Sequence, residues 1–394
     1  MTSDRSDTYM NNTLDPPESE MRKSDAKSEI AEFYTGTNIL ITGGTGFLGT
    51  LLIEKLLRSC PGITTIYMLI RPKKGKASKD RFEEIFNDVI YERLKQEQPN
   101  FLNKIVMIEG DAAKEDFGLT PETKTMLTNT NIIFHVAATV RFNEKIRLAV
   151  HTNVRVTKNL LVWAKQLSNI KFEKNIITIK SLTKSEQELD LSPEEKVPIY
   201  NIVSTCQNPI TWNRFMKLNE NFGYEVPTIK MYWYYMFIFN RYLLLHELSI
   251  FFFHIVPAFI VDTLARLIGR PPVLLDTYKK IHKAMDALQF FLGRQWIFEN
   301  ENVVKLWKKL NSVDQKTFNF NMENLDWEIY FYHYIRGVRF YILKDTFDTI
   351  KEARIKLTRL FIAHYSIIIV VSLLLLWTTV SFVNFLWSYC PLSH

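Results

Sequence analysis

The twelve residues from Asn38 to Gly49, NILITGGTGFLG, restrict the fold more than any other stretch of the chain. Ile39, Leu40 and Ile41 have the length and composition of a short buried strand, and from Thr42 the pattern turns into a helix that continues TLLIEKLL. Gly43, Gly46 and Gly49 give that junction G-x-x-G-x-x-G spacing. The first glycine permits a tight turn, the second lets backbone approach a pyrophosphate, and the third lets helix and strand pack closely. The helix N-terminus attracts the negative charge. A glycine triplet alone is weak evidence, but one that leaves a strand and opens a helix reads as a dinucleotide site. Thr42, Gly43, Thr45, Gly46, Phe47, Leu48 and Gly49 are therefore candidate cofactor-binding residues.

The next apolar run, ITTIYMLI, ends in Arg71-Pro72-Lys73-Lys74. A site selecting NADH places an acid here for the ribose 2′-hydroxyl, whereas an arginine accommodates a 2′-phosphate. No acid stands at this strand end, so Arg71 points to NADPH. Lys73 and Lys74 fit the same role or that of solvated surface cations. KIVMIEGD then brings Asp111 to a strand end, facing the adenine. NIIFHVAAT ends in Ala137, Ala138 and Thr139, small residues against which a cofactor can lie. Strands alternating with helices predict an α/β fold, a doubly wound parallel sheet with its ligand at the carboxyl edge.

A chain of 394 residues with a formal charge of +7 suits an anionic partner such as a phosphate-bearing ligand or an acidic headgroup. No arginine-rich tract or zinc-finger spacing is present, which argues against nucleic acid. Cys60, Cys206 and Cys390 are scattered and odd in number, so no disulfide framework is expected, and packing is the natural role for Cys60 and Cys206. The first thirty residues are polar, carry both charge signs and lack a signal-peptide core, so they read as a disordered, cytosolic tail.

Apolar residues make up 47% of the chain, and many lie near its end. From Ser366 to Trp387 there is no charge, and the run extends roughly 33 Å as a helix, enough to cross a bilayer. Lys351, Arg354, Lys356 and Arg359 precede it and nothing positive follows, which predicts a single pass with the bulk of the protein cytosolic. A second apolar stretch, Leu248 to Val261, is closed by Glu247 and Asp262 and broken by Pro257. It reads as too short to span easily: an interfacial or re-entrant segment, a lipid-chain lining, or an ordinary buried helix.

TGGTGFLG, MLIRPKKG, IEGDAA and FHVAATVRFNE together resemble the fatty acyl-CoA reductases, alcohol-forming members of the extended short-chain dehydrogenases. VPIYNIVSTCQNPITW resembles the segment joining their two domains, and RPPVLLDTYKKIHK lies in a stretch similar to their C-terminal domain. The resemblance implies a disordered tail at 1–32, a Rossmann-like reductase domain at 33–223, a mainly helical C-terminal domain at 224–360, and a transmembrane helix with a short tail at 364–389. It further implies NADPH-dependent reduction of a long-chain acyl-CoA, through an aldehyde, to a fatty alcohol on the cytosolic face of an endoplasmic reticulum or peroxisomal membrane. A sterol dehydrogenase is a competing reading that the second-half blocks disfavour.

The same resemblance implies a Tyr-x-x-x-Lys pair, in which the lysine lowers the tyrosine pKa so that it can protonate the oxygen that receives the hydride. The equivalent strand would be NIITIK, Asn175 to Lys180, and no tyrosine precedes a lysine by four anywhere after it. Ser181 and Thr183 read as loop hydroxyls. The one matching pair in the chain, Tyr91 and Lys95, follows the second strand and reads as a solvent-facing helix surface. The block that should carry the catalytic helix is thus missing, and no catalytic residue is assigned. The alternative is a non-catalytic, membrane-anchored nucleotide-binding protein that regulates or pairs with a complete paralogue, or a truncated isoform.

Overall fold

A computed structural model describes residues 27–73, 75–141, 144–170, 199–237 and 242–389. The NIITIK strand, Ser181, Thr183 and Lys74 therefore lie outside the described residues. The chain divides into two compact units, one of residues 17–202 with 279–321 and the other of the remainder.

The first unit begins with α1 (Glu29–Phe33), β1 (Asn38–Thr42), α2 (Phe47–Ser59), β2 (Thr65–Ile70), α3 (Ser78–Phe86), α4 (Glu92–Glu97) and β3 (Ile105–Glu109). It continues through α5 (Pro121–Leu127), β4 (Ile132–His135), α6 (Ile146–Val150), a π turn at His151–Arg155 and α7 (Val156–Ala164). The expected parallel sheet is present, in the order β3-β2-β1-β4. Its strands are unbroken apolar runs because both faces are covered. Ile39, Ile41, Ile66 and Met68 face one layer with Ile53, Leu56 and Leu57 of α2. Leu40, Tyr67, Leu69 and Ile108 face the other with Leu127 of α5 and Trp163 of α7. Successive residues of each strand thus serve opposite layers, the period of two expected of a pleated strand.

The remaining helices are α8 (Trp212–Glu225), α9 (Leu243–Ile250), α10 (Val256–Leu267), α11 (Leu274–Leu292), α12 (Glu301–Lys309), α13 (Ser312–Thr317), α14 (Trp327–Gly337) and α15 (Ile350–Tyr389). Helices α12 and α13 belong to the first unit. Asp314, fully buried, accepts hydrogen bonds from the backbone N–H groups of Glu29 and Ile30 at 3.0 and 3.2 Å and from the Ser28 hydroxyl. It thereby holds the open N-terminus of α1. Lys55 donates to the Thr317 carbonyl and sits 5.2 Å from the centre of the Phe318 ring. The stretch Glu29–Glu32, assigned to the tail by its polarity, is therefore mostly helix, because its apolar Ile30 and Ala31 pack on the sheet's core.

In the second unit, Leu218 and Phe222 of α8 pack with Trp327, Phe331 and Tyr332 of α14. A buried ion pair closes the turn beyond α14: Arg339 lies 3.2 Å from Asp345, each side chain 2% exposed. Among the described residues, two helices are long and apolar enough to cross a membrane, Leu243–Leu267 and Phe347–Trp387. The first corrects the sequence reading, which took this segment for a short stretch broken by Pro257. A π turn at Phe251–Ile255 joins α9 to α10, and Pro257 falls at the start of α10, where its missing N–H costs little. An ordinary buried helix is also ruled out, since Phe252, Phe259 and Leu264 are 56–59% exposed. The N-terminal turns of α15 dock on protein: Lys356 donates to the Ile229 carbonyl at 2.6 Å, and Trp233 donates to His364 at 3.1 Å. From Ile367 to Trp387 the large apolar side chains other than Ile368 stand exposed.

Candidate nucleotide site

The strand order reverses between β1 and β4, so the carboxyl ends of those two strands open the crevice where an α/β sheet takes its ligand. The glycine turn sits there. Gly43 has φ +78°, and a Cβ built on it would lie 2.5 Å from the backbone nitrogen of Ala137. A Cβ on Gly49 would strike the backbone of Gly43 and Gly44. Gly46 donates to the Gly43 carbonyl at 2.9 Å and caps α2 without a side chain. The first N–H groups of α2 have no intrahelical acceptor, and Gly46, Phe47 and Leu48 around them are exposed. This is a positive, open helix end on a turn whose Gly43 and Gly49 leave no room for a Cβ, and it fits a pyrophosphate.

Thr42 is buried beneath the turn and bonds His135 across the β1–β4 pair, Oγ1 to Nδ1 at 2.6 Å. Ala137, Ala138 and Thr139 follow β4. Ala137 lies against Gly43, and Thr139 is pinned through both backbone groups by the Asn153 side chain at 2.8 and 3.0 Å. Arg71 reaches Asp111 at 3.6 Å across the β2 and β3 ends, and Asp111 also accepts from the Ala113 N–H at 3.0 Å. Arg81 of α3 donates to Thr45 Oγ1 at 2.9 Å and to the Arg71 carbonyl at 2.5 Å. Thr45, Lys73, Lys76, Arg81, Glu84 and Ile85 line a cavity of about 400 Å³ beside the turn.

The structure thus gathers the described sequence candidates at one sheet edge and adds Arg81, Lys76 and Asn153. Arg81 had no distinguishing signal, since a cation eleven residues past a strand end looks like any exposed helical residue. Asn153 sits in a π turn that periodicity does not reveal. Tyr91 and Lys95 are corrected in another sense. Tyr91 is fully buried among Phe86 and Phe101, with its hydroxyl donating to the Thr50 carbonyl at 3.3 Å. Lys95 is exposed, because the α-helix begins only at Glu92 and the two residues do not share a face. Burial pushes the Tyr91 hydroxyl well above the ordinary tyrosine range. Cys60 is buried as expected, whereas Cys206 is exposed.

Burial also lowers the pKa of His135, whose Nε2 finds no hydrogen-bond partner among the described residues. The folded chain therefore binds this proton less readily than the unfolded chain does. Its stability is complete above about pH 6.5 and falls as pH drops through that value. His135→Asn is expected to flatten the loss of thermal stability between pH 7.5 and 5.5. Equal slopes in variant and parent would place the acid sensitivity elsewhere.

A glycine turn at the switch point of a parallel sheet defines a dinucleotide-binding protein of the Rossmann type. Comparison with known proteins narrows the class. Two models described as male sterility protein match residues 41–205, the NAD-binding part, and residues 253–345. Fatty acyl-CoA reductase wat of Drosophila melanogaster is 27% identical over 485 aligned positions, covering 90% of this chain and 94% of its own length. Fatty acyl-CoA reductase 1 of Rattus norvegicus is 27% identical and that of Homo sapiens 26%, each across 84% of this chain and 89% of its own. Across most of its length the chain is thus similar to fatty acyl-CoA reductases, and its first half is a nicotinamide-dinucleotide-binding domain. Among solved structures, the terminal R domain from the myxalamid PKS-NRPS biosynthetic pathway is 26% identical over 34% of this chain and 33% of its own, with a TM-score of 0.29, too loose a superposition to carry any inference. The 485 aligned positions exceed the 394 residues of this chain, so the fly relative carries internal residues that have no counterpart here.

Proposed function

We propose that this chain is a membrane-anchored member of the family that binds NADPH and a long-chain acyl-CoA without completing the reduction. The nucleotide preference rests on one observation: Arg81 joins the phosphate turn at Thr45 to the end of β2, beside Arg71, Lys73 and Lys76. In this reading Thr42, Gly43, Thr45, Gly46, Phe47, Leu48 and Gly49 hold the pyrophosphate. Arg71 and Arg81 meet the 2′-phosphate, and Asp111 and the Ala137–Thr139 loop flank the rest. By chain order the nucleotide domain is 33–223 and the C-terminal domain 224–360, although residues 203–223 fold with the latter and 279–321 with the former.

Bound NADPH would supply a hydride, and the oxygen receiving the electrons must be protonated. The only tyrosine four residues before a lysine is buried in the core with its hydroxyl on the Thr50 carbonyl, and the relatives' extra residues support the loss of the block that carries the pair. Partnership with a complete paralogue follows as the means by which such a chain would act. The uncharged C-terminal half of α15 supports an anchor in the endoplasmic reticulum or peroxisomal membrane.

Removing one charge-assisted phosphate contact costs about 1.5–3 kcal/mol, or roughly 10- to 100-fold in affinity. Arg81→Ala is therefore expected to weaken NADPH by that factor in a fluorescence titration and to leave NADH unchanged. Equal weakening of both nucleotides, or of neither, refutes the assignment.

A further inference from the structure

The helix Leu243–Leu267 passes every test of length and apolarity for a membrane span, yet two features of the fold forbid it to cross. The first is parity. Ser28 and Lys55, before the helix, are bonded to Asp314 and Thr317, after it, within one compact unit. Both partners must lie on the same side of a bilayer. No other described helix between Lys55 and Thr317 is a candidate span, and residues 171–198 are interrupted by charges throughout. A single crossing by Leu243–Leu267 would tear these contacts apart.

The second feature is the neighbour. The buried Asp262 carboxylate accepts from the backbone N–H groups of Val273, Leu274 and Leu275 at 2.9–3.0 Å, holding the start of α11. One helix segment earlier, His254 stacks on Tyr278 with ring centres 4.6 Å apart. The two helices therefore run antiparallel, with Tyr278 beside the midpoint of the apolar helix. Lys279, Lys280 and Lys283 follow Tyr278 on α11. If the apolar helix spanned, these lysines would lie near the hydrocarbon centre, where cations are among the costliest side chains.

We propose that Leu243–Leu267 lies along the membrane–water interface, on the side that holds the nucleotide domain. Its exposed Phe252, Phe259 and Leu264 enter the acyl boundary, while Arg266, Arg270 and the three α11 lysines meet anionic lipid headgroups. This rests on the reading of α15 as the anchor. The protein then has one crossing and one in-plane helix.

The test uses the full chain with Cys60, Cys206 and Cys390 replaced by alanine. An environment-sensitive fluorophore is placed on Phe253→Cys, at mid-helix, or on Leu375→Cys in α15. Each is reconstituted in phosphatidylcholine vesicles with and without phosphatidylserine. The Leu375 probe is expected to be quenched by chain-end labels, and failure there removes the anchor itself. With that anchor in place, the Phe253 probe is expected to be quenched more by lipids labelled near the headgroup than by those labelled at the chain end. The reverse order means the helix spans, and no quenching at either depth means protein covers it. Either outcome overturns the proposal. Phosphatidylserine is expected to increase shallow quenching, and the triple change Lys279→Glu, Lys280→Glu and Lys283→Glu to abolish that increase. Persistence of the increase overturns the headgroup assignment. In the parent sequence, Glu323→Thr completes an N-glycosylation acceptor at Asn321. With microsomes it is expected to stay unmodified while an acceptor appended beyond His394 is modified. Modification at Asn321 would place residues after Leu267 across the membrane and sink the in-plane reading.

Discussion

Purified in detergent with NADPH and palmitoyl-CoA, the chain is expected to oxidise nucleotide at least about a thousandfold more slowly than a relative that carries the Tyr-x-x-x-Lys pair, the scale of a lost general acid. Hydride addition to a thioester or aldehyde leaves an alkoxide that must be protonated as it forms. A tyrosine does this only when a neighbouring cation brings its pKa toward neutrality. Tyr91 has the opposite surroundings: apolar rings on both sides, a backbone carbonyl as its hydrogen-bond partner, and a pKa driven up by burial. Lys95 points away from it into solvent. Stopped-flow absorbance at the reduced-nicotinamide band, run beside a complete relative, reads the rate directly. Turnover within tenfold of that relative would mean that a different side chain donates the proton.

Asp345→Ala is expected to destabilise the C-terminal unit by about 3–5 kcal/mol, the usual cost of stripping one partner from a buried ion pair. Burial alone would raise the Asp345 pKa. Hydrogen bonds from Thr228, Thr349 and the Ile229 N–H, with Arg339 beside them, outweigh burial and lower it. The carboxylate thus ties the chain after α8 to the turn before α15. Without it, Arg339 is left charged in a site where it is 2% exposed. At roughly 2–4 °C per kcal/mol for a unit of this size, the unfolding midpoint should fall by about 6–20 °C. Replacing both members, Arg339→Met with Asp345→Leu, should recover part of the loss, since an apolar pair leaves no orphan charge. A double variant no better than Asp345→Ala would show that the aspartate acts only through its hydrogen bonds to Thr228, Ile229 and Thr349.

The nucleotide half was legible because its signals are local. A buried parallel strand is a bare apolar run, and Gly43 and Gly49 occupy positions where any side chain collides with backbone. What escaped depends on partners far along the chain. Polar Glu29 and Glu32 hid a helix whose cap is Asp314. Asp262 looked like the end of an apolar segment, but three N–H groups from residues 273–275 satisfy it, so the helix continues to Leu267. Tyr91 looked exposed because it borders a charged run, yet Glu92, Arg93 and Lys95 face water while Tyr91 does not. Local composition reports which residues tolerate solvent, not which of them a distant element will cover.

That distant cap on α1 also sets a schedule. The acceptor for the Ile30 N–H is 284 residues downstream. At about 5–20 residues per second, roughly 15–60 s of synthesis separates the two. During that interval the apolar helix Leu243–Leu267 leaves the ribosome, before Asp314 exists to complete the first unit. The first unit therefore cannot close until Asp314 is made, long after its own sheet strands have left the ribosome.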